Sequence, residues 1–254
     1  MNDPKRASEF RSWFRSRQFI NISYSVNGFS FRKKPIINKR ETPQAQEAAF
    51  QTHTERKTYD MFHQTSDQKV ALFLADGCEE IEALTVSDLL FRAGIPCTTI
   101  SVNDTRTVTS SHNITITADT TLAEADPEEF CMLVLPGGIP GTPNLAACPK
   151  LMDAVTSFAG RAEEGKAVAA ICAAPSILAD LGLLAGKKAT CNPCVESFLD
   201  EHGAKLTYSR VTVDDNLITS QGMGTAIAFG LAIVEYLKDH AAAKELASKI
   251  LYRP

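Results

Sequence analysis

From Lys69 onward, apolar residues fall into two alternating patterns. Short runs that are apolar throughout, Val70-Ala71-Leu72-Phe73-Leu74, Met132-Leu133-Val134-Leu135 and Ala167-Val168-Ala169-Ala170-Ile171, have the length and composition of buried strands, and Cys97 to Val102 makes a further strand. Between them lie stretches with helical spacing. Glu80 to Ala93 places Ile81, Leu84, Leu89 and Leu90 on one face and stops at Gly94, Leu151 to Ala162 is a second helix, and Pro175 opens a third with Ser176, Ile177, Leu178, Ala179 and Leu181. Val108 to Thr117 alternates weakly and predicts a hairpin or edge strand, followed by a short helix over Leu122 to Glu129. Later, Lys188 to Cys191 reads as a short strand and Val195 to Glu201 as a helical turn. Val211-Thr212-Val213, the turn residues Asp214-Asp215-Asn216 and Leu217-Ile218-Thr219 give a hairpin signal. An amphipathic helix carrying Ile227, Phe229, Leu231, Ile233, Val234 and Leu237 follows Gly222-Met223-Gly224, and Ala241 to Leu251 forms a closing helix.

A strand, a helix and a further strand in this order imply right-handed crossovers and a parallel sheet. The alternation from Lys69 to the last residue therefore predicts an α/β domain over 69–254: a doubly wound, mostly parallel sheet in a flavodoxin-like sandwich.

Residues 1–68 follow another pattern. Arg11, Arg15, Arg17, Arg32, Lys33, Lys34, Lys39 and Arg40 outnumber the acids, and from Glu41 to Gln68 aliphatic residues nearly vanish. This composition predicts a poorly ordered extension. Three accounts of it stand side by side: an organellar presequence, with Trp13, Phe14, Phe19 and Ile20 on a short amphipathic helix; a disordered arm; or residues upstream of a true start at Met61.

Composition narrows the functional classes. The 254-residue chain is 44% hydrophobic and 22% charged, as an ordinary soluble protein is. A net charge of −4 argues against a nucleic-acid partner, and no apolar run approaches membrane-spanning length. The odd count of 7 cysteines, scattered along the chain, gives no disulfide framework and favours a reducing, cytoplasmic setting, with organellar import through the extension as the variant.

Candidate chemistry gathers where strands end, since ligands of such sheets bind beyond the carboxyl ends of the strands. Glu79, Glu80 and Glu82 follow the first strand, Gly137 and Gly138 a later one, and Cys172 the next. Strand, Cys172, then a helix opened by Pro175 is the pattern of a sharp turn that aims a side chain off the sheet beside unpaired N–H groups, where a thiol should ionise easily. A small buried thiol fits the same residues. Gly137-Gly138 fits either an ordinary turn or backbone that presents N–H groups to an oxyanion. Cys191-Asn192-Pro193-Cys194 has the spacing of a redox or metal pair, without the second pair a zinc site needs.

Four motifs together resemble the ThiJ/PfpI superfamily, in its branch of the parkinsonism-associated deglycase and bacterial relatives. They are Phe73-Leu74-Ala75-Asp76-Gly77-Cys78-Glu79-Glu80-Ile81-Glu82-Ala83, Leu135-Pro136-Gly137-Gly138, Ala169-Ala170-Ile171-Cys172-Ala173-Ala174-Pro175, and Thr219-Ser220-Gln221-Gly222-Met223-Gly224-Thr225. The resemblance covers roughly Lys69 to the C-terminus. It implies a nucleophilic Cys172 beside a protonated Glu82, which can donate to a thiolate and shuttle a proton. Gly137, Gly138 and the N–H of Ala173 match the oxyanion surroundings, and Glu79 and Glu80 cap the helix or pair on its surface. The implied activity is a glutathione-independent glyoxalase or deglycase acting on a small-molecule aldehyde: methylglyoxal, glyoxal or early glycation adducts. The alternative is a redox-sensing or chaperone-like stress protein that uses oxidation of Cys172. The scheme calls for no metal and no organic cofactor.

The resemblance also implies a homodimer, and His112 falls near a basic residue that relatives contribute across the dimer interface. Two positions depart from the pattern. Asn192 stands where some relatives place a histidine, and Ala173 follows the cysteine where the peptidase branch has a histidine, which disfavours proteolysis. If the loop after Ala189 approaches the turn, Cys194 or Cys191 is placed to trap Cys172 as a disulfide, and the distance between the sulfurs decides it.

Overall fold

A computed structural model describes residues 12–13 and 64–253. These belong to one compact unit, and the expectations for most of residues 1–68 lie outside the described residues. Trp13 is the exception: its ring packs edge-on against Phe198 at 4.9 Å between centroids.

The apolar runs form the centre of a seven-stranded sheet. β1 (Val70–Leu74) pairs in parallel with β2 (Cys97–Ser101) on one side and β6 (Met132–Leu135) on the other. β7 (Ala167–Ile171) lies beyond β6, and β11 (Leu217–Ser220) beyond β7, both parallel. A short β5 (Thr120–Thr121) extends the β2 edge, and β10 (Val211–Asp214) closes the other edge antiparallel to β11, as the hairpin signal predicted. The order is β10-β11-β7-β6-β1-β2-β5. The chain winds outward from β1 through β2 to β5, then returns to the far side of β1 at β6. That reversal makes the β1/β6 crevice the topological switch point, the place such sheets reserve for ligands.

Both faces of the sheet are covered, which is why its central strands are apolar at every position. Ala71 and Phe73 face one core with Leu133, Leu135, Val168 and Ala170; Val70, Leu72 and Leu74 face the other with Met132, Val134, Ala169 and Ile171. α1 (Glu80–Arg92), α6 (Ala226–Leu237) and α7 (His240–Lys249) contribute to the second core. α3 (Pro149–Ala159), α4 (Pro175–Asp180) and α5 (Glu196–Glu201) contribute to the first. Outside the main sheet, β3 (Thr107–Thr109) and β4 (Thr115–Thr117) form the expected hairpin.

Several local expectations are corrected. The predicted apolar face of α1 is split: Leu89 and Leu90 are buried with Glu82, Ala83 and Val86, but Ile81 and Leu84 are 47% and 42% exposed. The helix over Leu122 to Glu129 shrinks to a turn of 3₁₀ helix at Pro127–Glu129, because Asp126 caps the Glu128 N–H and Pro127 starts the turn there. β8 (Lys188–Ala189) pairs with β9 (Lys205–Leu206), not with the main sheet. The second helix starts earlier, at Pro149, and ends at Ala159 before Gly160, while α2 (Gly141–Ala146) had no periodicity long enough to announce it. No helix of the described residues is long and apolar enough to cross a membrane.

Candidate active site

Three chain segments meet at the carboxyl edge of β1, β6 and β7. Cys172 follows β7 directly and adopts φ +65°, a left-handed conformation that non-glycine residues take up at a cost of about 1–3 kcal/mol. Its neighbours hold it there: the Cys172 N–H donates to the Ser220 carbonyl at the end of β11 (3.0 Å), and its carbonyl accepts from the Asn192 N–H (2.9 Å). This is the sharp strand-to-helix turn that the sequence predicted, aimed off the sheet.

Glu82 arrives on the first turn of α1. Glu79 caps that helix through Oε1 and the Ile81 N–H, and two residues into α1 the Glu82 side chain turns inward, leaving the residue 1% exposed. Its Oε2 accepts the Gly137 N–H at 2.8 Å, and its Oε1 is buried with no hydrogen-bond partner. Gly137 is the contact between the two groups. A Cβ on Gly137 would stand 2.5 Å from the Cys172 Cβ, 3.1 Å from its Sγ and 2.7 Å from Glu82 Oε2, so no larger residue fits without displacing one of them. Gly138 serves the loop: with φ +94°, it leaves room for the β6 end to nest against the Gly77 carbonyl and the Glu79 N–H, where a Cβ would come within 2.4 Å.

The electrostatics couple the two groups. The Cys172 thiol is held well above its ordinary range, by burial first and then by the charge of Glu82, while the Ala173 N–H pulls the other way. One N–H at the mouth of a six-residue helix does not outweigh burial next to a carboxylate. Burial likewise pushes Glu82 up from 4.5 to about 7, against the Gly137 N–H and the Cys172 thiol, which both favour its charged form. The two groups titrate as a pair, and protonating Glu82 removes the charge that raises Cys172. Of the expected oxyanion donors, the Gly137 N–H is committed to Glu82, and the Ala173 N–H lies against the sulfur.

His112 is elsewhere. Its Nδ1 lies 2.9 Å from Glu80 Oε1 and 3.6 Å from Glu79 Oε2, and the Ser111 hydroxyl donates to Glu79 Oε2 at 3.2 Å. His112 thus has partners within its own chain. Among the described residues no hydrogen bond or ion pair joins it to Cys172 or Glu82. Burial alone would raise Glu80, yet its own N–H and the His112 bond bring it below the ordinary carboxylate range. His112 is raised in turn, first by that bond. Glu79, Glu80 and His112 place one ligand atom each within 4.8 Å of one another, a donor set that suits a divalent cation and equally forms the ion pair seen.

Two residues join the site without a role read for them in the sequence. A Cβ on Gly222 would stand 3.7 Å from Cys172 Sγ, 3.8 Å from Glu82 Oε1 and 3.4 Å from Asn192 Nδ2. Gly222 and Asn192 therefore border the space next to the sulfur and Glu82 Oε1. The first lay in the fourth motif and the second was noted only as a departure; nothing local in either segment placed it beside the sulfur.

Comparison with known proteins agrees with this architecture. The family model described as the DJ-1/PfpI family matches residues 68–236. The chain is 36% identical over 193 residues to "Protein DJ-1 homolog B" of Arabidopsis thaliana, covering 75% of this chain and 43% of that protein, so it spans less than half of that relative's length. It is 34% identical over 173 residues to "Glutathione-independent glyoxalase DJR-1.2" of Caenorhabditis elegans, covering 67% of this chain and 90% of that one. The solved structure of oxidized Toxoplasma gondii DJ-1 superposes with a TM-score of 0.69 at 33% identity, over 74% of this chain and all of that one. The chain belongs to the DJ-1/PfpI family.

Proposed function

We propose that this chain is a cysteine-dependent, glutathione-independent glyoxalase that converts methylglyoxal to lactate, with glyoxal and early glycation adducts as related substrates. The observation that carries the reading is a strained Cys172 facing a buried carboxyl, Glu82, raised to about 7. Two relatives named as glutathione-independent glyoxalases support it.

The Cys172 thiolate, formed as the pair's proton resides on Glu82, adds to the aldehyde carbon and gives a hemithioacetal. Glu82 gives that proton to the alkoxide oxygen so formed and, now a carboxylate, takes the proton from the former aldehyde carbon and returns it to the neighbouring carbon, while the hydroxyl proton passes to the former ketone oxygen. A positioned carboxyl with a pKa near the working pH suits both directions of transfer. Water hydrolyses the resulting thioester, releasing lactate and the thiol. The Ala173 N–H, beside the sulfur, is placed to stabilise negative charge that develops there, and the Gly137 N–H holds Glu82 in register. The test is lactate formation from methylglyoxal without glutathione. Cys172→Ala reduces it to background, and full turnover in that variant overturns the reading.

A second reading has its own observation. The unpartnered Oε1 of Glu82 borders the same small space as Cys172 Sγ, where it would meet an oxygen added to that sulfur, so a redox-sensing role for Cys172 remains compatible with the site.

The reading extends to a homodimer in a reducing, cytoplasmic setting. Ile81 and Leu84 on α1, with Ile227 on α6, leave an apolar face exposed, and Leu84 and Ile227 flank one surface groove. Sedimentation at the mass of one chain, at micromolar concentration, overturns the dimer.

A further inference from the structure

We propose that Cys194 is the resolving cysteine of Cys172: a hydroperoxide oxidises the Cys172 sulfur to a sulfenic acid, and Cys194 closes a Cys172–Cys194 disulfide that switches the nucleophile off reversibly. The inference rests on Cys172 being the reactive thiol and not on its acting upon aldehydes.

The geometry comes from one loop. The Asn192 N–H binds the Cys172 carbonyl at 2.9 Å, which draws the segment after β8 onto the turn that carries the nucleophile. The Asn192 side chain then folds the chain back on itself: its Oδ1 accepts the Cys194 N–H at 3.0 Å and caps the 3₁₀ turn Pro193–Val195. Asn192 Nδ2 and the Cys172 sulfur both lie next to Gly222, 3.4 Å and 3.7 Å from where its Cβ would stand. Cys194 is half-buried here, whereas Cys191 is 1% exposed and belongs to the first core. Cys194 lies near enough to Cys172 and to Glu82 for their charges to be felt, as it does to Cys191. A disulfide joins Cα atoms about 4.4–6.8 Å apart, and the three-residue turn that follows Asn192 is the part of this loop that moves to bring Cys194 into that range.

The chemistry balances in two steps. The Cys172 thiolate takes one oxygen from the hydroperoxide, which leaves as the alcohol or water, and becomes the sulfenic acid. The Cys194 thiolate attacks that sulfur and expels hydroxide, which takes up the proton Cys194 gave up; one water and one S–S bond result. Burial raises the Cys194 thiol to about 11, so few molecules carry the thiolate at neutral pH. Tethering offsets this, because the attack is intramolecular. Closure of the disulfide accordingly quickens about tenfold per pH unit below that value.

The reduced full chain, treated with hydrogen peroxide, decides the matter by intact mass and a non-reducing peptide map. The expected product has lost two hydrogens, carries a Cys172–Cys194 peptide pair and reverts with dithiothreitol; Cys191→Ser gives the same pair. In Cys194→Ser the dominant product is a Cys172 that has gained oxygens and does not revert. A sulfinate at Cys172 as the dominant wild-type product overturns the inference, as does a Cys191–Cys194 pair with Cys172 unlinked. Formation of the Cys172–Cys194 pair in protein that turns over no methylglyoxal sustains this inference while removing the glyoxalase reading.

Discussion

Glu80 and Glu82 stand two residues apart in the first turn of α1 and experience opposite environments. Two helical steps rotate a side chain by about 200°, so the two carboxyls leave the helix on nearly opposite sides. Glu80 meets an exposed histidine and its own N–H groups, which carry it below the ordinary range despite its burial. Glu82 meets a buried sulfur and one N–H, and burial wins. The balance of burial against hydrogen bonds and nearby charge, and not position in the helix turn, decides which carboxyl holds a proton. The same helix turn thus yields an ion pair on one side and a proton carrier on the other.

Glu82→Gln tests this contrast with the largest effect. It keeps the shape and the Gly137 contact but removes the transferable proton, and kcat/KM for methylglyoxal should fall about 10²–10⁴-fold. The Cys172 thiol should titrate lower in the same variant, since the Glu82 charge is one of the causes that raise it. A thiol that titrates no lower, followed by pH-dependent alkylation, would mean that burial alone governs the sulfur.

Stability against pH gives the next effect. The native Glu82 carboxyl, at about 7, lies above its ordinary 4.5, so the folded state binds its proton more tightly than the unfolded one does. That contribution is fully present below about 4.5 and is lost as pH rises through about 7, on the order of 3 kcal/mol in total. Urea midpoints should fall across this window in the wild type and flatten in Glu82→Gln. An unchanged slope would assign the titration to other groups.

His112→Ala gives the smallest effect and probes the other side of the comparison. Glu80 loses a hydrogen bond that lowers it, so its carboxyl should rise, measured by carboxyl-carbon NMR, while the Cys172 thiol stays where it was. Movement of the Cys172 titration with His112 would break the separation of the two regions.

Much of the fold was legible because it depends on local pattern. The runs at Val70, Met132 and Ala167 are strands because every position is covered by a core, and the strand-Cys172-helix order needs no distant information. The failures occurred where local pattern was weak or misleading. Ile81 and Leu84 are apolar at helical spacing yet lie exposed, because the inward side of α1 is given to Glu82. β8 is too short to reveal that its partner is β9.

The sequence by itself determined the alternation of strands and helices, the cysteine at the turn and the carboxyls near a helix start, since each follows from side chains within a few residues. Tertiary structure alone decided which carboxyl meets the sulfur, that Gly137 leaves room for the meeting, and that the loop at Asn192 reaches Cys172. It also set burial and the Glu82 charge against ionisation of Cys172, so that its ionisation depends on where the proton of the pair resides. The physical reason is that a pKa or a disulfide depends on distance and solvent exclusion between segments far apart in the chain, and only the packing of β1, β6, β7 and β11 sets those.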